Sequence, residues 1–142
     1  MKKSILLVAL LSGCTATTNF KSGDGPLNIK VNRNAPLKVT QTSTEKKKYS
    51  ATSFGQYRFK ATQDGHEPMY GLIPLKFNGG YLAADILFFA PAMFFNLREV
   101  YPFYEFDVVA GVVRYKKKAN DPWIEYKPKA DEVESAKKFM GE

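Results

Sequence analysis

Three sets of residues in this 142-residue chain have types and spacings that chemistry uses. Glu105 and Asp107 flank Phe106, so a strand through them would turn both carboxylates to one face. Two carboxylates so placed are the minimum for acid/base hydrolysis of the glycosidase kind. The only histidine, His66, lies between Asp64 and Glu67 in "QDGHEP", a set with metal-ligating donors. Three ligands inside one tight turn rarely converge on an ion, and a solvated turn histidine is the simpler expectation. The single cysteine is Cys14. Without a second cysteine or histidine the usual zinc ligand sets are absent. No Gly-x-Ser-x-Gly elbow, Gly-x-Gly-x-x-Gly turn or phosphate loop occurs. The composition therefore points away from an enzyme. A hydrolase using Glu105 and Asp107 is kept as the weaker alternative.

The surroundings of Cys14 are more specific. Lys2 and Lys3 precede the apolar run "SILLVALL", and Ser12 and Gly13 lead into Cys14. A positive head, a short apolar stretch and small residues make a secretory signal peptide, and the run is too short to cross a bilayer, which takes about 20 residues. "LSGC" at Leu11–Cys14 resembles the lipobox of bacterial lipoproteins. The resemblance implies cleavage after residue 13 and acylation of Cys14, with the lipid bilayer as first partner. It also implies a place in the cell envelope. Thr15, where retained lipoproteins have aspartate, favours the outer membrane if the host is Gram-negative. A lone cysteine spent on a lipid leaves no intramolecular disulfide.

The formal charge is +7, from 21 Lys and Arg against 14 Asp and Glu. Losing Lys2 and Lys3 with the signal leaves the chain basic, which suits anionic headgroups or envelope polymers. No dense stripe of interleaved basic and aromatic residues suggests nucleic acid, and neither a cofactor nor a metal is expected.

Elements that would position these residues follow from periodicity. Residues 14–26 combine the modified cysteine with a polar run, "TATTNFKSGDGP", expected to be a flexible tether of roughly 20 Å. Residues 27–130 are expected to form a β-rich domain. Leu27, Ile29 and Val31 alternate with polar residues, Pro36 breaks the pattern, and Leu37 and Val39 resume it. Residues 40–53 read as an exposed loop or edge strand whose Lys46–Lys48 discourage aggregation. Tyr57, Phe59 and Ala61 alternate in a further strand, Asp64-Gly65 turns the chain, and "MYGLIPLKF" is a strand interrupted at Pro74. Val108, Val109, Val112 and Val113 suggest a strand with Gly111 as a bulge, and "WIEYKP" a last one. Residues 131–142 read as a helix capped by Asp131.

Between these lies the least ordinary stretch, "YLAADILFFAPAMFFNLREVYPFYEFD", residues 81–107. A helix of its first 15 residues would be about 22 Å long, short of the roughly 30 Å hydrocarbon core, and Pro91 would break it. The expectation is an apolar helical hairpin folded about Pro91, with Asp85 and Arg98 paired at its base. The competing expectation is ordinary core. An apolar surface carrying Phe88, Phe89, Phe94 and Phe95 exceeds what a small sheet covers, which makes these four the expected contacts with membrane or a partner protein. The fold class is thus mainly β with minor α: a small antiparallel sheet or sandwich, an apolar helical hairpin and a C-terminal helix.

More loosely, "IKVNRNAPLKV", "YRFKATQDGHEP" and "GGYLAADILFFAPAMFFNLREVYPFYEFD" resemble the small β-domain lipoproteins of the PEGA type. That family implies an envelope surface or binding module. The Pro-Glu-Gly-Ala stretch is missing here, and phenylalanines replace most glycines of the apolar segment. The function expected is a structural or binding envelope lipoprotein; the alternative is a phage-type exclusion or toxin-type lipoprotein that occupies another envelope protein.

Overall fold

A computed structural model describes residues 15–50, 56–77 and 98–142. The chain is mainly β with one C-terminal helix. Its strands are β1 (Thr15–Ser22), β2 (Leu27–Val31), β3 (Leu37–Val39), β4 (Glu45–Ser50), β5 (Arg58–Thr62), β6 (Met69–Leu72), β7 (Leu75–Phe77), β8 (Arg98–Val100), β9 (Phe103–Asp107), β10 (Val112–Lys116) and β11 (Ile124–Tyr126); helix α1 is Ala130–Met140. A five-stranded sheet has the order β11-β10-β9-β1-β4, a four-stranded sheet β3-β2-β5-β6, and β7 pairs with β8. Among the described residues all pairings are antiparallel except β1 with β9.

The expected tether is replaced by a strand. β1 hydrogen-bonds to β4 on one side and β9 on the other, inside the larger sheet. Thr18, Phe20 and Ser22 point inward and are buried, and the Phe20 ring sits 5.6 Å from Tyr104 and 5.7 Å from Phe106. At Gly23 the chain leaves this sheet, its N–H donating to Phe106 O at 2.9 Å, and crosses to β2 in the other layer. Leu27, Ile29 and Val31 then face inward with period two, as do Phe59 and Ala61 on β5. The two layers share one core, with Phe59 and Phe106 edge to face at 5.0 Å.

Other boundaries differ from the sequence reading for local reasons. Val108 and Val109 belong to the β9–β10 turn, with Val112 paired to Asp107. Gly111 takes a positive φ of 71° to close that turn, and Asp107 Oδ1 accepts from Ala110 N at 2.9 Å. Gly111 is thus a turn residue and not a bulge. Helix α1 starts one residue early: Lys129 is its N-cap, and Glu132 reaches back to the Lys129 N–H at 2.9 Å, leaving Asp131 within the first turn. Ala136 is its buried residue, and the helix lies against β6 and β5. Arg58 lies over the Phe139 ring at 4.7 Å and bonds Ser135 Oγ. Proline 74 interrupts the β6–β7 run as expected, and β6 is an edge strand.

Two buried tyrosines give opposite expectations. The Tyr104 hydroxyl donates to Pro74 O and accepts from Tyr101 N at 2.8 Å, whereas the Tyr49 hydroxyl finds no partner among the described residues. Tyr104→Phe should cost about 1–2 kcal/mol and Tyr49→Phe almost nothing in urea unfolding at neutral pH. Burial pushes both phenols above the ordinary value of 10.0. A folded-state pKa raised in this way gives stability that is complete below pH 10.0 and is lost as the pH climbs past it. The unfolding midpoint should fall in that alkaline window, and fall less in the Tyr49→Phe variant.

Candidate functional site

The outer face of the five-stranded sheet brings the two candidate carboxylates together. Lys21 on β1 stands opposite Glu105 on β9, Glu105 opposite Arg114 on β10, and Arg114 opposite Glu125 on β11. Four neighbouring strands thus carry alternating charges in one row, the arrangement in which cross-strand pairs attract. Arg114 Nη1 lies 2.9 Å from Glu105 Oε1 and 3.1 Å from Asp107 Oδ2, while its Nε reaches Glu125 Oε2 at 3.2 Å. Lys21 Nζ takes the other Glu105 oxygen at 2.9 Å. The Glu105 hydrogen bond, followed by those of Asp107 and Glu125, raises the Arg114 pKa against the opposing effect of burial.

Each oxygen of Glu105 and Asp107 therefore already has a donor, counting the Ala110 N–H on Asp107. The row fastens four strands together. Gly23 fits tightly beside it, since a Cβ there would lie 3.1 Å from Asp107 Cβ and 3.3 Å from Arg114 Nη1.

Next to the charged row is an aromatic patch. Phe103 stands between Asn19 and Lys116. Lys116 Nζ sits 4.3 Å from the centre of the Trp123 ring and donates to Ala119 O at 2.7 Å, and Lys21 Nζ covers the same ring at 5.3 Å. A cleft of about 160 Å³ opens between Asn19, Thr44, Phe103 and Trp123. Both lysines are thus occupied by a ring and an oxygen within the protein.

Among the remaining candidates, His66 is exposed, with its N–H closing a turn onto Gln63 O at 3.2 Å. Among the described residues no group of three His, Cys, Asp or Glu could hold a metal ion. Among them too, no helix is long and apolar enough to cross a membrane. Arg98 is exposed on β8, opposite Phe77, and lines a cleft of about 210 Å³ with Tyr57, Tyr126 and Glu132. Cys14, Asp85, Phe88, Phe89, Phe94 and Phe95 lie outside the described residues, so the Asp85–Arg98 pair and the helical hairpin do too. The last part of the expected excursion is corrected: Arg98–Val100 and Phe103–Asp107 are strands, and Val100, Tyr104 and Phe106 belong to the core.

One cluster escaped the sequence reading. On the outer face of the smaller sheet, Asn28 is opposite Thr62 and Lys30 opposite Lys60. The register that joins them is set by pairing with β5, a strand 30 residues away along the chain. Only the alternation of Lys30 and Lys60 with core residues signalled which face they share.

Compared with known proteins, the chain matches no family model, no curated protein and no solved structure.

Proposed function

We propose that this chain is a lipid-anchored protein of the bacterial envelope that works as a structural or binding module and not as an enzyme. In this reading residues 1–13 are a signal peptide, acyl chains are carried on Cys14, and the outer membrane is the destination if the host is Gram-negative. The Phe-rich stretch, folded as an apolar hairpin about Pro91 with Asp85 and Arg98 paired at its base, contacts the bilayer or a partner protein through Phe88, Phe89, Phe94 and Phe95.

The observation that carries the reading is the position of Thr15. It is the first residue of β1, directly after Cys14, and Ser50 stands opposite it. β9 runs parallel to β1 with Phe103 level with Asn19, so the chain enters β9 from the end of the sheet where β1 begins. β8, the strand into which the Phe-rich stretch leads, touches both β1 and β4. An acyl group on Cys14 and the stretch that ends at Arg98 would then share one end of the domain. Each buried methylene contributes about 0.8 kcal/mol, so two or three chains hold firmly without another signal. With no tether between lipid and sheet, the domain rests against the headgroups in one orientation.

Labelling with palmitate in a bacterial host tests the anchor. The chain should take up label and fractionate with membranes, and Cys14→Ser should do neither. A Cys14→Ser variant that is still labelled would overturn the reading.

A further inference from the structure

The outer face of the four-stranded sheet holds two lysines where a fold normally avoids them. Lys30 on β2 and Lys60 on β5 are directly opposite in the register, and Asn28 and Thr62 form the next pair on the same face. Directly opposed side chains have Cβ atoms about 4.5–5.5 Å apart, a distance at which like charges repel. All four residues, with Pro36, line an open groove of about 420 Å³.

Compensation from within the protein is one-sided. The Glu142 carboxylate meets Lys60 Nζ and the Tyr70 hydroxyl, drawing Lys60 toward α1. Among the described residues Lys30 has no carboxylate within ion-pair distance. The charged row of the other sheet shows how this chain treats cations elsewhere: Lys21 and Arg114 each face a carboxylate directly across a strand. In the groove the residue directly across from each lysine is the other lysine; Glu142 pairs with Lys60 alone, and Lys30 stands with the Asn28 amide and the Thr62 hydroxyl, all able to donate.

We propose that this patch binds a phosphomonoester. A tetrahedral dianion presents three oxygens, enough to meet Lys30 and Lys60 with charge-assisted hydrogen bonds and Asn28 and Thr62 with neutral ones. A carboxylate carries a single negative charge, so it attracts the two ammonium groups less than a dianion does. The position favours a water-soluble ester over a bilayer headgroup. Asn28 follows the Gly23–Pro26 crossing out of β1, at the end of the domain away from Thr15. The phosphate site itself does not depend on the lipid anchor, whereas the choice of a soluble ester rests on the anchored orientation proposed above.

The test uses the full chain in detergent micelles, with inorganic phosphate as the probe and chloride at matched ionic strength as the reference. Phosphate should raise the thermal midpoint of the wild type and bind saturably in a phosphorus NMR titration. Lys30→Gln should weaken binding about tenfold and abolish the midpoint rise. In chloride alone it should be at least as stable as the wild type, because the like-charge opposition is gone. Lys48→Gln, which removes an exposed lysine from β4, should behave as the wild type. Equal responses from wild type and Lys30→Gln, or equal losses in Lys30→Gln and Lys48→Gln, would overturn the proposal. A vesicle arm separates the sources: vesicles containing phosphatidic acid, whose headgroup is itself a phosphomonoester, should retain wild type and Lys30→Gln equally if the ligand is soluble, and retention that depends on Lys30 would overturn the choice of a soluble ester.

Discussion

Phe20→Ala should destabilise the domain by about 3–5 kcal/mol, enough to unfold much of the population of a small protein. Phe20 is fully buried, and its ring packs against Tyr49, Tyr104 and Phe106 at centroid distances of 5.6–6.2 Å. Truncation leaves a cavity among aromatic rings that cannot collapse, because β1 is held by backbone bonds on both sides. The same substitution in a tether would cost nothing. Urea unfolding followed by tryptophan fluorescence reads the difference, and an unchanged midpoint would mean that residues 15–22 are not a strand of the core.

Arg114→Ala should cost about 2–3 kcal/mol, between the values of exposed and fully buried ion pairs because its side chain is 24% exposed. Its removal leaves Asp107 with only the Ala110 N–H and Glu105 with only Lys21. Two carboxylates of low exposure would then face each other across the space the guanidinium filled. Adding Asp107→Asn should recover part of the loss, so that the double-mutant cycle shows coupling. Simple additivity of the two substitutions would contradict the shared role of Arg114.

The strands with apolar alternation were legible from sequence. Leu27, Ile29 and Val31, and again Phe59 and Ala61, announce their buried face directly, and both faces are as read. β1 was not, because two of its inward positions are Thr18 and Ser22, and one Phe20 among hydroxyl side chains has no period. Its burial is decided by β4 and β9, partners distant in sequence. The pair Glu105 and Asp107 was correctly placed on one face of a strand. Its meaning lay in Arg114, which sits opposite Glu105 only once the β9–β10 turn is known to occupy Val108–Gly111. Reading those valines as one continuous strand concealed it. The Lys30–Lys60 opposition likewise required the β2–β5 register, which no local pattern encodes.

The most direct test of the central claim is the orientation of the lipidated chain on a bilayer. Thr17 lies near the end of β1 that follows Cys14, and Val109, 52% exposed, tips the β9–β10 turn beyond the opposite end. Eight residues of strand separate these ends by about 25 Å. Fluorophores placed singly at the two positions, in protein acylated at Cys14 and bound to vesicles containing a quencher lipid, measure their proximity to the membrane. Strong quenching at position 17 with little at 109 is the predicted result; equal quenching at both, or stronger quenching at 109, would contradict a domain seated on the bilayer by the end at which β1 begins.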